Sequence, residues 1–239
     1  MKLKTLLLTT PSSVVSHILS REKEFLTLLK QGKTVFDFSP YLNITLPSDI
    51  LSEACFCILT ANFKADKSIL IQKELGIKGC HKASPTKLEK ILKKYKHRFV
   101  KQRVERIIKL RENVKPLTNL LNNYIFTRSN NIESIRKLRS KLIKHIDGFG
   151  LKEASHFLRN IGILNVGIID RHILRFLKNT LNWRPKTKTL TKNTYYEAEN
   201  LLLSLRKYET KDKKLSHILK TPGLSDLLIF FWQTGEVLK

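Results

Sequence analysis

The chain has 239 residues, with 45 Lys plus Arg against 20 Asp plus Glu, a formal net charge of +25. That length suits one large domain or two small ones with a real core, and the 41% hydrophobic fraction excludes a disordered polycation. The charge points to a polyanionic partner, above all nucleic acid, although a ribosome-associated protein or a lysine-rich proteome would share the bias.

The start, MKLKTLLLTTPSSVVSHILS, loosely resembles a signal peptide. Its apolar core is too short for a secretory segment, which needs ~7–15 apolar residues. No stretch approaches the ~18 continuous apolar residues of a membrane span. The expectation is a soluble protein of the cytoplasm, associated with the nucleoid. Val15, Ile18, Leu19, Phe25, Leu26 and Leu29 then recur on a helical period, with Ser20 a candidate start for the second half. TVFDFSPYLNITLP alternates weakly and holds Pro40 and Pro47, so it predicts a loop or a short strand pair. A helix follows from Pro47, Ser48 and Asp49 through EACFCILTANF. Further helical patterns cover roughly 64–75, 85–95, 98–112, 116–126, 131–145, 151–161 and 170–179, with TRSNN at 127–131 as a surface loop. NWRPKTKTLTKN is a polar break, and TYYEAENLLLSLRKY and GLSDLLIFFWQTG are the last two predicted helices. The three cysteines, Cys55, Cys57 and Cys80, have no disulfide or metal-ligand spacing and predict buried thiols in a reducing compartment.

IDGFG ahead of a helix is the pattern of a helix-hairpin-helix, about 132–162. Gly148 and Gly150 would permit positive φ and a tight turn. Backbone N–H groups there, with the next helix N-terminus, form a cradle that reads phosphate without reading sequence. The bland alternative is a helix corner closed by glycine. Leu151, Ala154, Ser155, Leu158 and Ile161 would share one buried face. Lys152 falls off that face, near the helix start, where the dipole disfavours an ammonium. A neutral amine is a nucleophile, so the position suits amine chemistry; a solvated lysine beside a phosphate is the competing reading. Asp170, in NVGIIDRHILRFL, is placed to cap the following helix. A carboxylate there also suits a developing cation.

At these residues the chain resembles the helix-hairpin-helix superfamily of DNA glycosylases, and within it the archaeal-type 8-oxoguanine DNA glycosylase/AP lyases. GFGLKEASHFLRNIGILNVGIIDRHILRFL carries the resemblance, with CFCILTANFKADKSILIQKELG, HRFVKQRVERI and the terminal TGEVLK in support. It covers about residues 50–239. It implies an all-α fold of two helical subdomains flanking a DNA-binding cleft: 1–50 with 165–239, and a helical barrel at 51–164 ending in the hairpin. Lys152 and Asp170 would then face each other across the cleft.

The resemblance also implies the chemistry. A damaged nucleotide is flipped into a pocket, Lys152 attacks C1′, and Asp170 stabilises the cationic sugar. The resulting imine lets the 3′ phosphate leave by β-elimination. Phe99 matches a family aromatic that stacks on the oxidised base. Phe230 stands where the family has tryptophan, and Trp232 is expected to point elsewhere. Lys239 matches the family's terminal lysine, expected to discriminate 8-oxoguanine from guanine. Arg98, Arg103, Lys144 and Arg171 are candidate phosphate contacts beside Gly148 and Gly150, and His156 is expected to be a packed structural residue. No metal or organic cofactor is implied. An iron–sulfur cluster of the kind found in some relatives is excluded, because no cysteine follows Cys80. The implied partner is double-stranded DNA containing 8-oxoguanine or abasic sites, engaged by a monomer away from any membrane. Two alternatives stay open: a related glycosylase/lyase for another lesion such as oxidised pyrimidines, and a non-catalytic DNA-binding module.

Overall fold

A computed structural model describes residues 2–127, 131–185, 187 and 189–239. Most of the 127–131 loop, and Lys186 and Lys188 of the polar break, therefore lie outside the described residues. In chain order the elements are α1 (Leu3–Leu8), α2 (Ser12–Gln31), β1 (Lys33–Asp37), α3 (Ser39–Leu42), β2 (Thr45–Asp49) and α4 (Ile50–Thr60). Next come α5 (Ala65–Lys82), α6 (Pro85–Lys94), α7 (Val100–Glu112), α8 (Val114–Thr127), α9 (Ile132–His145) and α10 (Leu151–Asn160). The last four are α11 (Arg171–Thr180), α12 (Lys192–Ser204), α13 (Lys213–Lys220) and α14 (Pro222–Thr234). The fold is all-α, with one antiparallel strand pair among the described residues. No helix of the described residues is long and apolar enough to cross a membrane.

The chain divides into two compact units, Glu24–Gly162 and Met1–Lys23 with Ile163–Lys239. The first boundary thus falls inside α2 and not near residue 50. The reason lies in the strand pair: Phe36 on β1 packs edge-on against Phe25 at 5.8 Å, and β2 lies against α4 and α5. Residues 24–50 are therefore part of the core that the sequence reading began at residue 51.

In the 24–162 unit, α4 is buried on every side from Leu51 to Thr60, as its apolar run requires. Asp49 begins it with a capping box, accepting from Ser52 N at 2.8 Å while Asp49 N donates to Ser52 Oγ at 2.7 Å. Burying Glu53 within this helix demands polar partners. Ser48 Oγ donates to it at 2.5 Å, Gln72 Nε2 at 2.9 Å and Asn160 Nδ2 at 2.9 Å. Asn160 is the last residue of α10, so this cluster keys the hairpin helix to α4. Helix α5 outruns its predicted end near residue 75: Gly76, at φ +60, breaks it, and a second helical segment carries Cys80 into the core. All three cysteines are free and buried. A hydrogen bond with Cys80, reinforced by burial, pushes the Cys55 thiol well above its ordinary range.

In the other unit, Ile173, Phe176 and Leu177 of α11 form its buried side, and α11 and α13 both pack on α14. Trp232 stacks on Phe176 at 5.7 Å and donates its indole N–H to Thr10 Oγ1 at 2.9 Å. Helices α1 and α13 were not expected from the sequence. Each is short, with a single polar-interrupted turn or two of pattern, and burial of Leu3 and Leu6, and of Leu215, Ile218 and Leu219, stabilises them.

Candidate active site

The hairpin joins α9 to α10. Ile146 ends α9, its N–H donating to Leu142 O at 2.9 Å, and Phe149 N donates to Ile146 O at 3.1 Å. Gly148 has φ +93, a backbone conformation that favours glycine, and a Cβ there would lie 2.6 Å from Arg106 Cδ and displace that side chain. Gly150 departs from the expected positive φ. It is the extended N-cap of α10, at φ −104 and ψ −169, and its N–H donates to Glu153 Oε2 at 3.1 Å. An anion seated on this turn would compete with the Glu153 carboxylate. The G-x-x-E spacing signals that cap, and the sequence reading passed over it. Asp147, in the turn, is paired with Arg106 at 3.5 Å and Lys109 at 3.1 Å.

Helix α10 is not the one-sided helix its spacing predicts. From Ala154 to Asn160 every residue is buried, whereas Leu151, Lys152 and Glu153 are half-buried. Ser155 donates to Leu151 O at 2.7 Å and accepts from Arg139 Nη1 of α9 at 2.9 Å, which fixes the first turn. His156 is buried edge-on against Phe56 at 5.4 Å, the structural residue expected. The Lys152 amine has no hydrogen bond or ion pair among the described residues.

Ahead of α7, the 97–99 turn is held by His97. Its Nε2 donates to Leu59 O at 3.0 Å and its Nδ1 accepts from Phe99 N at 3.3 Å, which defines a neutral tautomer. Burial lowers the His97 pKa from its ordinary value of 6.5, against the hydrogen bond to Leu59. Phe99 stands out with 42% of its surface exposed. Arg98 and Lys144 are exposed, as a backbone contact requires. Arg103 is not: it is 2% exposed and its Nη2 donates to Ala61 O at 2.7 Å, so it is sealed away from a DNA phosphate.

Asp170 and Arg171 belong to the other unit with Phe230 and Lys239. Asp170 caps α11, its Oδ1 accepting from His172 N at 2.8 Å and Ile173 N at 2.9 Å. Among the described residues, its Oδ2 has no hydrogen-bond partner. The Tyr195 hydroxyl accepts from Ile169 N at 3.2 Å and donates to Gly167 O at 3.3 Å, pinning the backbone that delivers Asp170. His172, which the sequence reading did not single out, sets its ring against Phe230 at 5.1 Å. It thereby links the turn that carries Asp170 to α14. Arg171 is exposed, and Lys239 is only 3% exposed, like the buried Val237 and Leu238 before it. No cluster of three or more His, Cys, Asp or Glu among the described residues is placed to hold a metal.

A family model described as 8-oxoguanine DNA glycosylase matches residues 33–211. The chain belongs to this family. The 8-oxoguanine DNA glycosylase/AP lyase of Aquifex aeolicus is 41% identical over 228 residues, covering 95% of this chain and 94% of the relative. That of Methanocaldococcus jannaschii is 38% identical over 209 residues, covering 87% and 90%. The solved structure of the Methanocaldococcus jannaschii 8-oxoguanine glycosylase/lyase, in complex with 15mer DNA containing 8-oxoguanine, superposes with a TM-score of 0.72. It is 34% identical, over 94% of this chain and 92% of that one. The 8-oxoguanine DNA glycosylase of Thermotoga maritima gives 0.74 at 28% identity over 99% of each chain. In this chain a lysine stands on the first turn of the hairpin helix and an aspartate caps the helix that follows.

Proposed function

We propose that this protein removes 8-oxoguanine from DNA and then cleaves the strand 3′ to the abasic site. One observation carries the assignment of roles: the Lys152 amine, on the first turn of the hairpin helix of a family member, has no partner among the described residues. An unpartnered amine at the positive end of a helix dipole is free to act as a nucleophile.

The flipped nucleotide presents C1′ to Lys152. As the bond from C1′ to the base breaks, its electron pair leaves with the base and the sugar becomes cationic. The open Oδ2 of Asp170 stabilises that cation, and the neutral Lys152 amine bonds to C1′ and passes one of its two protons to the departing base. The nitrogen lone pair then opens the ring, O4′ takes a proton from water, and the protonated imine that results draws electrons when a C2′ proton is removed to water. The C3′–O bond then breaks and the 3′ phosphate departs. No step calls for a metal or organic cofactor.

Phe99 and Phe230 stack on the base, Phe230 from a position that His172 steadies. Lys239, held in the buried tail, tells 8-oxoguanine from guanine, which lacks the N7 hydrogen. Gly148, Gly150, Arg98, Lys144 and Arg171 hold the backbone. The protein acts as a monomer on double-stranded DNA, in the nucleoid.

Borohydride reduction during incubation with an 8-oxoguanine duplex tests the proposal. A covalent protein–DNA adduct is expected, and it disappears in Lys152→Gln. Cleavage confined to oxidised-pyrimidine duplexes would move the activity to that lesion class. DNA binding with no adduct on any lesion would leave a binding module.

A further inference from the structure

Arg103 is too buried for the phosphate contact its place in HRFVKQR suggested, yet it is poorly supplied with partners. Only Nη2 is used, on Ala61 O at the end of α4. Nε and Nη1 are buried and have no hydrogen-bond partner among the described residues. A buried donor left unmade carries the full cost of its lost hydration, and no carboxylate pairs with this guanidinium. Its neighbours add to the cost: burial lowers the Arg103 pKa, and Arg106 acts in the same direction against an opposing effect of Glu153. A backbone carbonyl could be capped more cheaply.

What the guanidinium does have is a ring. Its Cζ lies 5.7 Å from the Phe99 centroid. Arg103 is 2% exposed whereas Phe99 keeps 42% of its surface exposed, so a buried cation lies against a ring that is still partly open. Arg98, the second cation over this ring, is at 6.0 Å and is itself exposed. A cation behind a phenyl ring is attracted to its π density and draws on it. The outer face then becomes a better partner for an electron-rich planar base. 8-Oxoguanine, with its added N–C(=O)–N unit, is richer in electrons than guanine.

We propose that Arg103 is a specificity-determining positioning residue: a buried cation that holds Phe99 from behind and biases its open face toward electron-rich purines. This rests on the reading of Phe99 as a base-stacking residue. Arg103 acts through Phe99 and touches no reacting atom.

A double-mutant cycle tests it, with Arg103→Met, Phe99→Leu and the pair, each assayed for 8-oxoguanine excision below saturation and for borohydride trapping on an abasic duplex, which has no base to stack. Arg103→Met is expected to lower excision about tenfold more than trapping, chiefly through KM, and to add little in the Phe99→Leu background. Arg103→Lys, which keeps a cation behind the ring, is expected to recover most of the loss. Equal losses on both substrates, additive losses in the cycle, or a folded Arg103→Lys no better than Arg103→Met would overturn the assignment alone. Absence of excision by the unmodified protein would overturn the underlying reading, and this assignment with it.

Discussion

Asp170 is a helix cap in the structure and, in the proposed mechanism, a charge for the sugar, and a single substitution separates the two. As a cap it accepts two backbone N–H groups through Oδ1; as a carboxylate it presents Oδ2. Asparagine caps helices about as well as aspartate. Asp170→Asn should therefore change stability by less than about 1 kcal/mol in thermal denaturation. Single-turnover excision should fall by about a hundredfold or more, because the charge facing the cationic sugar is gone. An Asn variant with full activity would leave Asp170 as a cap only. The helix-start positions of Lys152 and Asp170 were legible in the sequence, because helix starts announce themselves through local residue types. Arg103 was not. Nothing in HRFVKQR says that one arginine faces solvent and another the core; that is decided by α4, whose end supplies the carbonyl.

At the scale of elements, periodicity located most helices, and the glycines located the hairpin. The spacing of α10 promised one apolar side, but the helix is wrapped by α4 and α9, and its polar residues find buried partners there. Asn160 reaches Glu53 and Ser155 reaches Arg139, contacts between distant stretches that no local pattern encodes. The turn before α7 is similar, since His97 ties Leu59 to Phe99 by hydrogen bonds and lies against the Phe63 ring at 4.2 Å. It also predicts a pH response. The folded protein holds His97 below its ordinary pKa of 6.5, so the unfolded chain takes up the proton more readily. The contribution of neutral His97 is fully present above about pH 6.5 and is lost as pH falls from there toward the folded value. Denaturant midpoints measured from pH 7.5 down to 5 should fall in that window, and the fall should be shallower in His97→Gln. Identical slopes in the two proteins would show that other groups set the acid limit.

For the whole molecule, the net charge of +25 is the dominant sequence-level property, but it is not all available to DNA. Arg21, Arg103, Arg139 and Arg159 are buried and belong to the core. The exposed remainder should still make binding to undamaged duplex strongly salt-dependent. If about six phosphates are neutralised, affinity should drop about a thousandfold between 50 and 200 mM salt. Titrations giving a slope near zero would remove the electrostatic account of binding. Composition therefore foretold the kind of partner, while the split into two units at residue 24 depended on the strand pair and its packing on Phe25. A weakly alternating, proline-broken segment gave only a faint sign of that.

The sealing of α10 beyond its first turn limits how this scaffold could change over time. Leu151, Lys152 and Glu153 are the residues of that helix left partly open. An amine transferred to position 156 or 159 would sit in the core, cut off from any sugar, and Glu153 already serves as the cap. Room for a nucleophile on this helix is confined to its first turn. On the proposed mechanism, a lineage that lost Lys152 could regain the chemistry only within that turn or by recruiting an amine from another helix.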